Sequence, residues 1–293
     1  MQTDNQIAQQ TDPMVHDRSI GNIIAETRNL SADQVERVLA YQREHKVRFG
    51  EAAVSLGFAS VDDVMFALAQ QFHYPTVVGR SDHLPELIAL NEPYSPTAEF
   101  FRGIRSQLVM RVFGEASKSR HAVAVVSANA GDGKSFVAAN LAVAMAQLGG
   151  RTLLIDGDMR NPRQHSIFGV DNEVGLSSVL AGRPGASPIK AIESVANLYL
   201  LPVGSTPPNP LELVERPAFS LLIDDLCSKF DYILVDTPAS ELGADALVTA
   251  HRCGAALPVV RKNASRLDGA RGLVKSLKEA SVNVIGTVFN DHA

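Results

Sequence analysis

The residues best equipped for chemistry form one short run, Ala128-Asn129-Ala130-Gly131-Asp132-Gly133-Lys134-Ser135. Gly131 and Gly133 let the backbone bend so that several N–H groups converge on phosphate oxygens. A helical pattern, FVAANLAVAMAQLG, follows directly, and its N-terminus adds partial positive charge. Lys134 would set a cation against the β- and γ-phosphates of a nucleotide, and the Ser135 hydroxyl would meet a Mg²⁺ ion. The candidate nucleotide-binding residues are therefore Ala130, Gly131, Asp132, Gly133, Lys134, Ser135 and Phe136. The usual first glycine of such a phosphate loop is Ala128 here.

Carboxylates come next. Asp156 and Asp158 close the run LLIDGD, and Asp236 closes YILVD. Both runs read as strands, so all three acids fall at the C-terminal rim of a sheet, where open α/β sheets bind ligands. Three carboxylates converging beside a phosphate loop would orient Mg²⁺ and activate a hydroxyl. Mg²⁺ favours few carboxylates, with water and phosphate oxygens completing its shell. The plain reading of any one of them is a helix N-cap or a solvated turn.

The elements that must position these residues alternate. Strand-length apolar runs at 122–127, 152–156, 198–202, 232–236, 255–261 and 284–290 are rich in Val, Ile and Leu, with little polar alternation. Strands buried on both faces look like this, which implies a parallel sheet covered on either side by helices. Helices are predicted over 135–148, 211–230 and 268–279. The expected fold class is α/β: a doubly wound, mainly parallel P-loop domain preceded by a small all-helical domain.

The helical part is a repeat. A shift of 29 positions carries Gly21 onto Gly50, Ser31 onto Ser60, Asp33 onto Asp62 and Leu39 onto Leu68. Ser31 and Ser60 are N-cap residues by type, each followed by an acid in the first turn. Val35, Val38 and Leu39, and likewise Val64, Ala67 and Leu68, give each second helix one apolar stripe. Pro75, Pro85, Pro93 and Pro96 then mark a linker. The domain boundaries read as a disordered tail at 1–17, the helical module at 18–75, a proline-rich linker at 76–97 and the P-loop domain at 98–293.

Composition bounds the rest. At ~150 residues per domain, 293 residues make about two domains. The net charge of −5 argues against non-specific nucleic-acid binding, which rests on many Lys and Arg contacts to phosphate. Arg252, Arg261, Lys262, Arg266, Arg271, Lys275 and Lys278 make a locally basic stretch that reads as a solvated face. Two cysteines, Cys227 and Cys253, fit a reducing compartment. No apolar run is long enough to cross a membrane, and the polar start lacks a secretory signal, so a cytoplasmic location is expected. The histidines show no ligand spacing, and no metal beyond Mg²⁺ is expected.

With this phosphate loop, Asp156 and Asp158 after the second strand and Asp236 after a later one, the chain resembles the deviant-Walker ATPases, which include the partition and septum-site ATPases. Within them it most nearly resembles the bacterial protein-tyrosine kinases of capsule and exopolysaccharide synthesis, of the EpsG chain-length type. The resemblance runs over residues 96–290. Its specific pieces are Glu99-x-x-Arg102-x-x-Arg105, AGDGKS, LLIDGDMRNP, GLSSVLAG, LPVGSTPPNPLELV and FDYILVDTP.

That resemblance implies ATP and Mg²⁺ as cofactors and Lys134, Asp156, Asp158 and Asp236 as the catalytic set. Asp156 is the implied catalytic carboxylate. Ser135, Asp156 and Asp236 are implied at the metal, and Asn290 at the adenine. Asn290 is equally a strand-end turn residue by type. Glu99, Arg102 and Arg105 are implied at a contact between subunits of a ring or dimer; their plain reading is a solvated helix face. The implied partner is the membrane chain-length determinant, a polysaccharide co-polymerase that recruits the protein to the inner membrane face. The helical module is similar to the N-terminal domain of type II secretion and pilus-assembly ATPases, through Arg48-Phe49-Gly50-Glu51, Gly57, Leu68 and Gln71. It implies a docking module or a cyclic di-GMP site, although in the first copy Arg28 stands where the second has Gly57.

One departure bears on the reaction. Such kinases carry a C-terminal tyrosine cluster, whereas the tyrosines here are Tyr41, Tyr74, Tyr94, Tyr199 and Tyr232. The acceptor is then expected to be Tyr94 in the linker, a tyrosine on another protein, or water. The expected function is an ATP-dependent protein-tyrosine kinase that regulates exopolysaccharide chain length and export. The alternatives are a partition-type ATPase and a nucleotide-switched scaffold.

Overall fold

The structure is a computed structural model that describes residues 19–71, 84–114, 122–183 and 187–291. It divides into two units, Met1–Thr76 and Val77–Ala293. The tail at 1–17, Tyr74 and the first part of the expected linker lie outside the described residues.

The first unit is α1 (Ile20–Thr27), α2 (Ala32–His45), α3 (Phe49–Ser55) and α4 (Val61–Gln71). Each copy of the repeat is a helix, a turn and a helix, as its spacing predicts. Ser31 makes a reciprocal capping box with Gln34. Ser60 does the same with Asp63, its Oγ accepting from the Asp63 N–H at 3.2 Å. Ile23, Ile24, Val38, Ala52, Ala53 and Ala67 form the core. Leu39, expected on the buried stripe, is at the rim and exposed, while Val38 takes the central place. Arg28 of the first copy pairs with Asp63 of the second at 3.3 Å, so the substituted position serves to join the two copies.

The second unit opens with α5 (Ile88–Asn91) and α6 (Pro96–Leu108), the latter running into a π-helical turn at Val109–Phe113. Then come β1 (Ala122–Ser127), α7 (Lys134–Ala146), β2 (Thr152–Asp156), α8 (Gln164–Phe168), α9 (Leu176–Leu180), β3 (Lys190–Ala191) and β4 (Leu198–Leu201). The chain continues as α10 (Pro210–Glu215), α11 (Pro217–Lys229), β5 (Tyr232–Asp236), α12 (Asp245–Cys253), β6 (Gly254–Arg261), α13 (Leu267–Glu279), β7 (Asn283–Val284) and β8 (Val288–Asn290). The sheet order is β3-β4-β2-β5-β1-β6-β7, with β8 also on β6, and every pairing is parallel except β3 with β4.

Alternation places the two cores. Val123 and Val125 of β1 face a cluster with α7, while Ala122, Ala124 and Val126 face a second cluster with α11 and α12. This doubly wound sheet carries β1, β2 and β5 side by side, so their C-terminal ends meet at one rim.

Two sequence expectations need correction here. The helix predicted over 211–230 is two helices, because Pro217 has no N–H to continue the first and instead starts the second. The strand predicted over 284–290 is two short strands that pair in turn with β6.

The larger difference is at the linker. Leu84, Leu87, Ala89 and Leu90 are buried in the same core as α7, and only their prolines suggested a spacer. Asn140, fully buried on α7, accepts the Ala89 N–H at 2.9 Å and donates to the Glu86 carbonyl at 2.9 Å. Pro96 is not a linker residue but the first residue of α6, capped by Ser95. Asn140→Ala should strand the Ala89 N–H and lower the unfolding free energy by about 2 kcal/mol. Denaturant titration checks this; an unchanged midpoint would mean that residues 84–91 do not belong to the cooperative core.

Candidate active site

The loop between β1 and α7 adopts the shape its glycines allow. Gly131 (φ +82°) and Gly133 (φ +93°) are left-handed. A Cβ at Gly133 would be strained by this backbone angle and would also displace the end of the Asn290 side chain. The loop is tied down from its own side chains and from β6 and β8. Asp132 Oδ2 accepts the Asn129 N–H at 3.1 Å, and its Oδ1 accepts from Ser265 Oγ at 2.7 Å. Asn290 Nδ2 donates to the Asp132 carbonyl at 3.1 Å, and Arg261 donates to the Gly131 carbonyl at 3.3 Å.

Behind the loop lies a buried acid network. Asp156 and Asp236 are cross-strand partners and both fully buried. Asp156 is held by three backbone N–H groups: Asp158 at 3.2 Å on Oδ1, and Arg163 and Gln164 at 3.0 and 2.9 Å on Oδ2. Asp158 turns the other way. Its Oδ2 is 3.3 Å from Lys134 Nζ, and its Oδ1 accepts the Arg160 and Asn161 N–H groups. Asp236 lies beside the Ser135 side chain and accepts from Gln164 Nε2 at 2.8 Å.

The three carboxylates therefore share a neighbourhood without converging on one point, as the sequence had suggested they would. Among the described residues no three acidic, histidine or cysteine side chains make a closed metal cage. Asp236 Oδ1, fully buried, has no hydrogen-bond partner. Against three acids the network holds one cation, Lys134. Burial, and then the Asp236 carboxylate beside it, push Asp156 up to about 8 despite its three donors. Burial also raises Asp236, with Lys134 pulling the other way. An open carboxylate oxygen beside a serine hydroxyl, in a site with excess negative charge, fits a hard divalent cation that keeps water and phosphate as its other ligands. Ser135 and Asp236 are the residues that would hold it, and the pre-bent loop with Lys134 fits a polyphosphate.

Two residues predicted at the nucleotide make contacts within the protein. The Phe136 ring packs edge-on against Phe101, with centroids 6.1 Å apart. Asn290 rests on the loop backbone itself. Gln164 is a residue that sequence reasoning missed: its Nε2 also donates to the Ser135 carbonyl at 3.0 Å, tying α8 to α7 and β5 together. No local signal identifies a glutamine whose role depends on a turn eight residues after β2.

Glu99, Arg102 and Arg105 lie on α6, outside this network. Arg102 pairs with Glu99 at 3.3 Å and donates to the Pro93 carbonyl. Arg105 reaches the Ala144 carbonyl in the last turn of α7 at 3.0 Å. The Glu99 side chain remains 74% exposed. Among the described tyrosines, Tyr41, Tyr94, Tyr199 and Tyr232 are all half-buried, so exposure does not single out Tyr94.

Fold and site together define a P-loop nucleotide-binding protein of the doubly wound class. Residues 118–291 match the ParA family described as the NUBPL iron-transfer P-loop NTPase. The chain is 37% identical over 203 residues to the putative tyrosine-protein kinase CapB of Staphylococcus aureus, covering 68% of this chain and 86% of CapB. It is 38% identical over 204 residues to the putative tyrosine-protein kinase EpsB of Ralstonia solanacearum, covering 70% of this chain and 27% of EpsB. The kinase domain of the Escherichia coli tyrosine kinase ETK superposes with a TM-score of 0.67 at 28% identity, covering 76% of this chain and 86% of that one. The chain belongs to the bacterial tyrosine-protein kinases of capsule and exopolysaccharide synthesis, a branch of the P-loop NTPases.

The raised Asp156 gives a pH prediction. An acid whose folded pKa is about 8, against 3.8 unfolded, contributes stability below pH 4 that is lost as pH rises through 8. The melting temperature of the nucleotide-free protein should therefore fall between pH 5 and pH 8 through this group, and saturating Mg-ADP should flatten the fall. A melting temperature that instead climbs with pH across this range, with nucleotide absent, would contradict the raised value.

Proposed function

We propose that this chain transfers the γ-phosphoryl group of ATP to a tyrosine hydroxyl, with Mg²⁺ as cofactor. The observation that carries this is the acid network: Lys134 beside Asp158, and Asp156 fixed by three N–H groups next to the open oxygen of Asp236. Phosphoryl transfer rests on positioning and charge stabilisation. The loop N–H groups would bind the phosphates, and Lys134 would supply positive charge at the β- and γ-positions. Asp158 holds Lys134 in place, and Asp236, beside Ser135, would share the cation with its hydroxyl. Asp156 would accept or orient the acceptor hydroxyl from a position its three donors fix. Bound Mg²⁺ would supply the remaining positive charge.

The acceptor is read as Tyr94 or a tyrosine on another protein. The pathway is exopolysaccharide or capsule export, with a membrane chain-length determinant as partner at the inner membrane face. No helix among the described residues is long and apolar enough to cross a membrane. Glu99, with Arg102 and Arg105 behind it, would meet a neighbouring copy in a ring or dimer. The helical module is read as a docking module ahead of a cyclic di-GMP site, because Arg28 is already paired with Asp63.

Incubation with Mg-ATP should yield phosphotyrosine by mass spectrometry, alone or with the partner's cytosolic segment added. Lys134→Met should lower the yield at least ~100-fold, the scale of losing one charge contact to the transferring group. Release of free phosphate with no phosphotyrosine under either condition would replace the kinase reading with a partition-type ATPase.

A further inference from the structure

The first half of the phosphate loop is held by a segment that neither the sequence motifs nor the family assignment brings into the site. After β5 the chain makes a short 3₁₀ turn at Ser240–Leu242. From this turn four hydrogen bonds reach the loop. The Glu241 N–H donates to the Ala128 carbonyl at 3.1 Å, and Ser240 Oγ donates to the same oxygen at 3.4 Å. In return Glu241 Oε1 accepts the Ala130 N–H at 2.6 Å, and Oε2 accepts from Asn129 Nδ2 at 2.8 Å. The carboxylate thus bridges two consecutive loop residues like a clip.

Ala128 stands where phosphate loops usually have their first glycine, so this stretch does not owe its shape to glycine freedom. The loop's second half is fixed by Ser265 and Asn290. Its first half is held by Glu241, with Asp132 Oδ2 accepting the Asn129 N–H and Ser127 Oγ donating to the Asn129 carbonyl at 2.9 Å. The two contacts hold this carboxyl below the usual range, the Ala130 N–H being the larger cause. A charged acceptor on a backbone N–H makes a stronger tie than a neutral one.

We propose that Glu241 is a positioning residue for nucleotide binding: its carboxylate sets the Asn129–Ala130 backbone so that the loop presents a pre-formed cradle to the phosphates. It does not touch the reacting atoms. Its effect therefore falls on nucleotide affinity and leaves turnover at saturation alone. This rests on the nucleotide-binding part of the function proposed above, and not on the identity of the acceptor.

The test uses the full chain with Glu241→Ala and Glu241→Gln, read by KM and kcat for Mg-ATP turnover, by Mg-ADP binding, and by melting temperature. Glu241→Ala should raise KM about fivefold with kcat within about twofold of wild type, the effect of one charge-assisted hydrogen bond attenuated by solvent. Its melting temperature should move by less than about 2 °C, because the side chain is exposed. Glu241→Gln should restore most of the affinity. Its amide oxygen can still accept the Ala130 N–H, and its NH₂ can meet Asn129 Oδ1, a buried atom with no partner, once that amide turns over. An unchanged KM, a lower KM, a loss confined to kcat, or a failure of Gln to rescue would each overturn the assignment. Lys134→Met separates the two levels. If the wild-type chain binds no nucleotide, the function proposal fails. If it binds and only Lys134→Met weakens it, this inference alone fails.

Discussion

Three buried carboxylates confront one buried lysine at the rim of the sheet, and most of the site follows from that imbalance. Taking several acids out of water is costly unless donors or counter-charges compensate. Asp158 takes Lys134, Asp156 takes three backbone N–H groups, and Asp236 takes the Gln164 amide. The compensation stops one oxygen short, at Asp236 Oδ1. The two cross-strand acids rise in pKa for the same reason. A polyphosphate alone would add more negative charge here, and a divalent cation bound with it would offset that charge.

The second requirement is a phosphate loop that is already formed. Ligand phosphates do not have to organise the backbone, because hydrogen bonds from both flanks do it first. On one flank Ser265, Arg261 and Asn290 hold residues 131 and 132; on the other the 3₁₀ turn after β5 holds residues 128–130. Pre-organisation of this kind removes ordering cost from the binding step. It also makes the loop depend on elements far away in sequence, at the ends of β5, β6 and β8.

That dependence explains what the sequence shows and hides. The strands at 122–127, 152–156 and 232–236 were legible because burial on both faces demands continuous Val, Ile and Leu. The phosphate loop was legible because its glycines, lysine and serine are contiguous. Gln164 and Glu241 were not, since each acts across the sheet through one side chain and belongs to no local pattern. The separate tasks of Asp156 and Asp158 were hidden too: two residues apart on one turn, they point to different partners. Residues 84–91 read as a spacer because the surrounding prolines outweigh a short apolar stretch, and its anchors are distant side chains: the Asn140 and Gln147 amides and Arg163.

The same reasoning gives α7 a role beyond carrying Lys134. It is buried over nearly its whole length, so it moves as a rod or not at all. Its N-terminus is the phosphate cradle, its middle holds residues 86–89 through Asn140, and its last turn accepts Arg105 of α6. Arg105 sits where a helix C-terminus exposes unpaired carbonyls and favours a cation. A contact that pulled Arg105 off Ala144 would leave that carbonyl without this donor and bear directly on the rod whose other end sets Lys134. The Glu99–Arg102–Arg105 face and the phosphate site are thus mechanically continuous through one helix, whichever surface meets that face.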